Sequence, residues 1–587
     1  MSFAPRRSDA SVPSAEVHNG LAGVAHKRAV VCLLSCTLLG CITQPDAYEP
    51  RVDRLIIAGG SAQLGDPGQT LGVPLRVRAR DQRGAPMLGV RVQWAAATGG
   101  GSVSPTQSET DANGEAQTIW TLGSVEGEQT VIATAPSIAP TTFRATANLL
   151  VARVGISPAS VRLPVLDTKQ LDGTPFDALD RPLGGRTLTW TSSDANIAAV
   201  NATSGLITAG SALGVAVISA RSANGKVGTS TVIVQRAFTA VSAGSNYGCG
   251  LVGNEGYCWG FNSSGQRGDG TKANAVVPTP VSGGLRFDAI AASQHTCAKT
   301  LANAIYCWGN NNFGEIGNGT LGLSVVPVLA AGPPFLTIAV GPNHTCGLEV
   351  NGTTYCWGFN DRGQLGDGTR TNRTVPTAVS GSENFFFSNI NGAVNLALGT
   401  QHTCSRQQSG PIYCWGDNGS GQLGDGSTTE RTSPVLVKGG PFSWVTAGTS
   451  HSCGIGAGNA AQCWGGGGML GDGTTTIRSG AGPVSGGFSF TQISTYSNFT
   501  CALSALGAAY CWGTNTYGQV GDGSTDNRTT PVAVAGGIKF DRISAGDNHA
   551  CGMTQRGAVY CWGFNAFGQL GDGTTKSSAT PVLVIVP

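Results

Sequence analysis

Short runs in which apolar and polar residues alternate make up most of the chain from Val52 onward. Leu75-Arg76-Val77-Arg78-Ala79 and Val90-Arg91-Val92-Gln93-Trp94 are two examples. A period of two, with Gly, Asn, Asp or Pro between the runs, is typical of half-buried antiparallel strands. These turn residues recur too often for long helices to form. The pattern therefore predicts an all-β protein.

The composition limits the kinds of partner that the protein can have. Lys and Arg together number 36 and Asp and Glu 34, which leaves a formal net charge of +2. A chain this close to neutrality has no strong electrostatic attraction for nucleic acid, so we expect no nucleic-acid partner. With 587 residues the chain is long enough for several domains, at roughly 150 residues per domain.

The first 41 residues have the order of an export signal. The basic patch His26-Lys27-Arg28 precedes an apolar run from Ala29 to Leu39, which is too short to span a bilayer. Leu38-Leu39-Gly40-Cys41 resembles a bacterial lipobox, in which cleavage leaves a lipidated cysteine at the new N-terminus. The resemblance implies a signal peptide over 1–41, lipidation of Cys41 and a linker over 42–51. The protein would then be an outer-membrane or cell-surface lipoprotein, in the oxidising periplasm or outside the cell.

Other interpretations of this segment stay open. Leu33-Leu34-Ser35-Cys36 also fits the lipobox pattern, so Cys36 is a second candidate for lipidation. The 25 residues before the basic patch leave open whether Met1 is the true start. An ordinary cleaved signal or a short apolar tail fits the same composition. Beyond Cys41 no stretch approaches about 18 apolar residues, so we expect membrane contact only through a lipid anchor.

Two modules of short strands follow the linker. Residues 52–150 resemble the bacterial immunoglobulin-like domains of intimin and invasin, through Val90-x-Val92-x-Trp94 and Thr110-Asp111-x-Asn113-Gly114. Residues 151–235 resemble the group 2 bacterial Ig-like family, through Ile156-Ser157-Pro158 and Leu188-Thr189-Trp190. The resemblances imply two β-sandwiches with core tryptophans, which serve in adhesion or as spacers.

A Cys-Trp-Gly triplet recurs seven times in the C-terminal part of the chain. The triplets begin at Cys258, Cys307, Cys356, Cys414, Cys463, Cys511 and Cys561. Each precedes a glycine-rich turn such as 363–369 and then a Pro-Val strand. A unit of about 50 residues with several short strands must stack on copies of itself to bury both faces, and this length suits a propeller blade. The sequence predicts a closed ring of seven blades over 236–587.

The repeat resembles that of the regulator of chromosome condensation (RCC1) family. The last copy carries His549-x-Cys551, Tyr560-Cys561-Trp562-Gly563 and Gly568-Gln569-Leu570-Gly571-Asp572-Gly573. The expected fold class is thus all-β, with two Ig-like β-sandwiches followed by a seven-bladed β-propeller. In earlier copies the strand equivalent to 581–586 leads into the next repeat. We therefore expect this last strand to pair with the first repeat and so close the ring.

Each triplet has a partner cysteine nine or ten residues upstream. Asn351-Gly352 lies midway between Cys346 and Cys356, and a hairpin there places the two cysteines opposite each other. Facing Cα atoms about 4.5 to 5.5 Å apart suit a disulfide. We expect one bridge per blade, in the pairs Cys249–Cys258, Cys297–Cys307, Cys346–Cys356, Cys404–Cys414, Cys453–Cys463, Cys501–Cys511 and Cys551–Cys561. Zinc is the alternative, although zinc ligands usually lie closer in sequence.

Histidines and turn aspartates also recur. The slot two residues before the first cysteine holds His295, His344, His402, His451 and His549, and in two repeats Tyr247 and Phe499. A slot that accepts any flat ring indicates packing and hydrogen bonding rather than metal or acid–base chemistry. Aspartate between glycines suits a turn with positive φ, and one carboxylate per turn is too few for calcium. We expect no cofactor and no metal.

The regular spacing is broken once, between repeats three and four. An insertion there of about nine residues contains Phe385, Phe386 and Phe387. Three adjacent phenylalanines form either an exposed contact patch or a buried strand. They are the candidate binding loop, because function is expected where a repeat is interrupted.

The sequence shows no nucleophile–base arrangement or phosphate loop specific enough to indicate an enzyme. We expect an exported, lipid-anchored monomer whose propeller is a non-catalytic scaffold for a protein or glycan, with the Ig-like modules as spacers. Two alternatives stay open. The RCC1 resemblance implies guanine-nucleotide exchange on a small GTPase, which requires a cytosolic partner. Some RCC1-like bacterial propellers inhibit β-lactamases, so an inhibitor of an extracellular enzyme is the other.

Overall fold

A computed structural model describes residues 48–148, 150–349, 351–381, 396–407 and 409–586. The signal segment with Cys41, and Phe385 to Phe387, lie outside the described residues. Apart from a 3-10 turn at Ala457–Asn459, the regular structure of the described residues consists of β-strands, which confirms the all-β class. The chain divides after Asn148 into two compact units. Within the described residues, no helix has the length and apolarity to cross a bilayer.

The first unit contains two β-sheets around one hydrophobic core. In spatial order the strands are β1 (Val52–Gly59), β3 (Leu75–Asp81), β7 (Glu115–Leu122) and β5 (Gly101–Ser104) in one sheet, and β2 (Gln63–Gly65), β9 (Thr141–Ala147), β8 (Gly127–Thr134), β4 (Arg91–Thr98) and β6 (Gln107–Glu109) in the other. The predicted alternation holds in β3, where Leu75, Val77 and Ala79 are buried. Trp94 is a core residue, as predicted, and packs against Phe143 with ring centroids 5.8 Å apart.

The second unit begins with three small sheets around Trp190. Their strands are β10 (Arg153–Ser157), β11 (Ser160–Pro164), β12 (Thr168–Gln170), β13 (Asp172–Phe176), β14 (Leu188–Ser192), β15 (Ala198–Val200), β16 (Leu206–Ala209), β17 (Gly214–Ser222) and β18 (Val227–Gln235). Trp190 shares a core with Leu171, Ile207 and Ile218. β18 ends at Gln235, and the module boundary expected there stays a prediction.

Seven four-stranded antiparallel sheets follow, one for each repeat, and we number them blades 1 to 7. In chain order and from the axis outward, the strands are β19 (Ala240–Ala243), β20 (Tyr247–Val252), β21 (Glu255–Gly260) and β22 (Ala275–Pro280) in blade 1; β23 (Phe287–Ala292), β24 (His295–Thr300), β25 (Ile305–Gly309) and β26 (Ser324–Leu329) in blade 2; β27 (Phe335–Val340), β28 (His344–Glu349), β29 (Thr354–Gly358) and β30 (Arg373–Ala378) in blade 3; β31 (Leu396–Leu398), β32 (His402–Arg406), β33 (Ile412–Gly416) and β34 (Arg431–Leu436) in blade 4; β35 (Trp444–Ala447), β36 (His451–Ile455), β37 (Ala461–Gly465) and β38 (Arg478–Pro483) in blade 5; β39 (Phe490–Thr495), β40 (Phe499–Ser504), β41 (Ala509–Gly513) and β42 (Arg528–Ala533) in blade 6; β43 (Arg542–Ala545), β44 (His549–Met553), β45 (Val559–Gly563) and β46 (Ser578–Leu583) in blade 7. The first strand of each blade contacts the first strand of the next, and β43 contacts β19, so the blades form a closed ring.

The second and third strands of each blade form the predicted hairpin. In blade 3 the register pairs Cys346 with Cys356 directly. The third strand ends at the glycine of Cys-Trp-Gly, whose φ lies between 97° and 108° in the seven blades. A Cβ on Gly358 would lie 2.6 Å from the carbonyl oxygen of Asn343, so this bend into the following turn requires glycine.

The ring closes differently from the prediction. β46 pairs with β45 in its own blade, so the expected pairing of the last strand with the first repeat is wrong. The physical reason is that the chain passes to a new blade after the Pro-Val strand, which leaves every blade with four consecutive strands. The two ends are joined instead by a backbone hydrogen bond from the Phe238 N–H to the Gly557 carbonyl at 2.9 Å and by the side chain of Gln235. Gln235 Nε2 donates to the Val584 carbonyl at 3.2 Å, and Gln235 Oε1 accepts from the Val586 N–H at 3.3 Å.

Candidate functional site

The seven repeat tryptophans connect each blade to the preceding one. Every indole is fully buried, and its Nε1 donates a hydrogen bond of 2.8 to 2.9 Å to a backbone carbonyl in the glycine-rich turn of the preceding blade. The pairs are Trp308–Gln266, Trp357–Glu315, Trp415–Gln364, Trp464–Gln422, Trp512–Met469, Trp562–Gln519 and, across the closure, Trp259–Gln569. The junction between blades 7 and 1, where the ring closes, therefore contains the same tryptophan–carbonyl hydrogen bond as the six other junctions.

The repeat histidines make a second contact between blades. His402 Nε2 lies 2.8 Å from Ser452 Oγ in the next blade, and that hydroxyl donates to the Gln422 carbonyl at 2.9 Å. The Ser452 hydroxyl proton is donated to the Gln422 carbonyl, so in the His402–Ser452 hydrogen bond the donor is His402 Nε2–H. His295, His344 and His451 are paired in the same way with Thr345, Thr403 and Thr500.

Burial keeps all five rings neutral. It lowers the pKa of His295, His344 and His402 to about 3 and that of His451 and His549 to about 4. Four of these rings pack and form hydrogen bonds, as the sequence predicts, whereas His549 packs without a hydrogen-bond partner among the described residues. Among the described residues, no group of three or more His, Cys, Asp or Glu side chains is placed to hold a metal ion.

The fourteen propeller cysteines lie where the hairpins predict. The two Cα atoms of each pair are 4.1 Å apart, and the two sulfurs are 2.04 to 2.12 Å apart, which is disulfide-bonding distance. All fourteen side chains are fully buried. The pairs lie between the second and third strands, in the middle of each blade, and are not exposed at either face of the ring.

The turn aspartates stabilise the loop that carries them. Asp367 Oδ1 accepts hydrogen bonds from the Thr369 N–H at 3.0 Å and the Thr369 hydroxyl at 2.7 Å. Its other oxygen forms an ion pair with Arg373 at 2.7 Å. Asn360, which is buried, donates from Nδ2 to Asp367 and accepts the Leu365 N–H at 2.9 Å. The aspartates therefore hold the turn rigid, which agrees with a structural role.

A polar cavity lies on the axis of the propeller, at one face. We call this the loop face, because it carries the connections between first and second strands and between third and fourth strands of every blade. A cavity of about 560 Å³, the axial basin, is lined by residues of all seven blades. Its lining includes Asn246, Gln294, Asn343, Thr449 and Asp547.

Tyr496 forms the floor of the axial basin. Its hydroxyl reaches across the axis from blade 6 to Ser245 Oγ at 2.8 Å in blade 1 and to Ser293 Oγ at 2.5 Å in blade 2. Burial raises the pKa of Tyr496 to about 12. A second cavity of about 420 Å³ is lined by the first strands of the blades and lies on the other side of the Tyr496 side chain. Tyr496 thus lines both the basin and this second cavity, which we call the central channel.

Sequence reasoning missed this floor, although the repeat contains a signal for it. Five blades have glycine at the position that follows the first strand: Gly244, Gly341, Gly399, Gly448 and Gly546. The two exceptions are Ser293 and Tyr496, whose hydroxyl groups form a hydrogen bond with each other. An alignment of the seven copies shows both exceptions, but only the closed ring brings blades 2 and 6 together.

Asp547 is the only ionisable group besides Tyr496 among the basin residues that the structure describes. Burial raises the pKa of this carboxyl, against a hydrogen bond with Ser497 that lowers it. The basin is otherwise lined by amides, hydroxyls and the rings of Phe261 and Phe313. This set can recognise a ligand by hydrogen bonds and ring packing.

Aromatic side chains continue from the basin onto the loop face. Tyr517, Phe564, Phe567 and Phe261 form a run with successive centroid distances of 4.6, 5.9 and 4.8 Å, which we call the aromatic arc. The equivalent positions in blade 4 are Asp417 and Ser420. The loop face therefore differs chemically from one side of the ring to the other.

Comparison with known proteins identifies the repeat. Residues 303–348, 351–405, 409–455, 507–553 and 556–587 match a model described as "Regulator of chromosome condensation (RCC1) repeat", and 335–364, 490–519 and 540–569 match a second model of this repeat. All of these segments lie in the propeller. The second unit therefore contains an RCC1-repeat β-propeller, as the motifs predict.

Individual relatives share only short stretches with the chain. Human "E3 ubiquitin-protein ligase HERC2" is 42% identical over 62 residues, which are 10% of this chain and 1% of the relative. Rat "Probable E3 ubiquitin-protein ligase HERC4" is 52% identical over 50 residues, 8% of this chain and 5% of the relative. The chain thus spans only a few per cent of these relatives. The crystal structure of yeast RCC1 (Prp20) bound to Kap60 is similar at 22% identity and a TM-score of 0.49, over 57% of this chain and 84% of that chain.

Proposed function

We propose that this chain is an exported, non-catalytic binding protein whose propeller presents the loop face to a protein or glycan ligand. In this proposal the two N-terminal modules are Ig-like spacers, and Cys41 carries the lipid that attaches the chain to a membrane. The anchor and the compartment rest on the sequence pattern alone, since Cys41 lies outside the described residues.

One observation carries the proposal: framework positions repeat in the seven blades, whereas loop-face positions do not. The repeated tryptophans, cysteines and turn aspartates are used in contacts within the ring. The residue after Cys-Trp-Gly, in contrast, is Phe261, Asn310, Phe359, Asp417, Gly466, Thr514 or Phe564. A rigid ring with a chemically varied face is the arrangement expected of a recognition surface.

Binding arrays test this proposal with the full secreted chain. Wild-type protein is screened against arrays of extracellular proteins and of glycans, beside a Phe564→Ala/Phe567→Ala variant of the aromatic arc. The matched control is Leu301→Ala/Leu506→Ala, which removes two exposed side chains from the turns at the opposite face. We expect the loop-face variant to lose the bound ligand and the control to retain it. Equal binding by both variants would contradict a role for the loop face.

The anchor has its own test. A Cys41→Ala variant is expected to move from the membrane fraction to the soluble exported fraction, because no lipid can be attached. The matched variant is Cys36→Ala, which distinguishes the two lipobox candidates. If both variants remain in the membrane fraction, the lipoprotein interpretation is wrong.

A further inference from the structure

The axial basin contains polar side chains that the rest of the protein does not use. The amides of Asn246, Gln294 and Asn343 and the hydroxyls of Thr400 and Thr449 line the cavity. None of these five side chains has a hydrogen-bond partner among the described residues. Polar groups inside a concave site that are not needed by the fold are available to a ligand.

The chemistry of the lining selects among ligands. The described basin residues include no Lys, Arg or His, so nothing there would neutralise a phosphate, sulfate or carboxylate. Asp547 supplies an acceptor, and the amides supply both donors and acceptors. A neutral ligand with several hydroxyl groups matches this mixture, because each hydroxyl donates one hydrogen bond and accepts others.

Two aromatic rings complete the site. Phe261 and Phe313 both line the basin. Each is supported from behind by another ring, Phe567 at 4.8 Å from Phe261 and Phe359 at 4.4 Å from Phe313. A supported ring keeps its face in a fixed orientation, and that face attracts the weakly positive C–H groups of a sugar ring.

The floor makes the basin a defined pocket. Both hydrogen bonds of the Tyr496 hydroxyl are made to serines of the ring, so the position of this side chain at the floor is fixed. A volume of about 560 Å³ lies within the range of roughly 300 to 1,000 Å³ found for small-molecule sites. This space suits the end of a saccharide chain.

We propose that the axial basin binds the terminal unit of a neutral saccharide, with its hydroxyls on Asp547 and the amides and its apolar ring face on Phe261. The next units of the chain leave along the aromatic arc. This inference rests on the proposed function and specifies its ligand class.

Calorimetric titration of the full secreted chain with cellohexaose, chitohexaose, maltohexaose and mannohexaose tests the inference. At least one of these is expected to bind. Asp547→Asn and Phe261→Ala should each weaken that binding by at least about tenfold, the effect of losing a charge-assisted hydrogen bond or a packed ring. Leu506→Ala at the opposite face is the control and should bind like the wild type. Thermal unfolding verifies that every variant is folded.

Two results would overturn the inference. One is that none of the four oligosaccharides binds at millimolar concentration. The other is that binding occurs but is unchanged in both basin variants. A tetralysine peptide is titrated in parallel. If it binds through Asp547 while the saccharides do not, the ligand class is wrong although the loop face still binds. If the loop-face and control variants are equivalent on the arrays as well, the proposed function fails too.

Discussion

The ring slot of blade 7 allows a sharp test of how the blades are joined. His549 is fully buried, and within the described chain neither of its ring nitrogens has a hydrogen-bond partner. The cause lies in the next blade, where Gly248 stands in place of the Thr or Ser that pairs with the other histidines. The Tyr247 carbonyl lies near the ring without the geometry of a hydrogen bond. His549→Phe should therefore stabilise the propeller.

Two other blades show that a six-membered ring fits this slot. Phe499 occupies it in blade 6, where the residue facing it in the next blade is Ala550, and Tyr247 occupies it in blade 1. The matched comparison is His402→Phe, which removes a ring that is hydrogen-bonded to Ser452 at 2.8 Å. Both histidines also have an unpartnered Nδ1, so the effect of removing that atom cancels between the two variants.

The expected difference in free energy of unfolding comes from the Nε2 atom, which is hydrogen-bonded in His402 and unpartnered in His549. His402→Phe loses one hydrogen bond, and His549→Phe removes a buried Nε2 that had none. The free energies of unfolding of the two variants should therefore differ by about 1 to 3 kcal/mol in favour of His549→Phe. Urea unfolding of the full chain measures this difference, and the propeller transition is the one that a reductant lowers. Equal shifts, or a more stable His402→Phe, would refute the account of this slot.

Three further predictions follow from the framework. Non-reducing mass spectrometry of the exported chain should find no free thiols among the fourteen propeller cysteines. Free thiols would favour the alternative of a cytosolic guanine-nucleotide exchange factor. Cys404→Ser/Cys414→Ser should lower the free energy of unfolding by about 2–3 kcal/mol for a loop of this length. The five buried histidines have folded pKa values below the usual 6.5. Their contribution to the free energy of unfolding is therefore complete above pH 6.5. It is lost as the pH falls, because only the unfolded chain takes up the protons. His451→Phe/Thr500→Ala copies the pairing of Phe499 with Ala550. It should reduce the slope of unfolding free energy between pH 6 and 4.5 by about 1 kcal/mol per pH unit, and an unchanged slope would contradict the neutral ring. Tyr496→Phe should lower the free energy of unfolding by about 1 to 2 kcal/mol through loss of its two serine contacts, whereas Tyr517→Phe, an exposed ring, should have no effect; equal results for the two would show that the basin floor is not held by its hydroxyl.

The parts of the fold that depend on local pattern could be predicted from sequence. The Asn351-Gly352 turn and the spacing of Cys346 and Cys356 fix the hairpin register, because a turn determines which residues face each other. The seven Cys-Trp-Gly triplets fix the number of blades for the same reason: each unit must bury its faces against a copy. The structure agrees on both points.

The closure and the basin floor depend on contacts between distant blades, which periodicity does not specify. A repeat counted from one triplet to the next has no marked beginning, so the Pro-Val strand could be placed before or after the blade boundary. The structure places it last in its own blade. The role of Tyr496 as the basin floor likewise depends on hydrogen bonds with Ser245 and Ser293, which are 251 and 203 residues away along the chain.

The departures from the repeat carry most of the specific information, because they occur in physically matched sets. In blade 1, Ala275 stands where Arg373 pairs with its turn aspartate in blade 3, and Arg267 supplies the missing cation to Asp269 at 2.7 Å. In blade 6, Phe499 needs no hydrogen-bonding partner and faces Ala550. Compensated exceptions of this kind preserve the ring. Some loop-face residues also vary together with a partner, as Asn310 does with Glu315 and Asp417 with Gln422. The loop face nevertheless changes its chemistry from blade to blade while the ring is kept, and ligand recognition can shape such a surface.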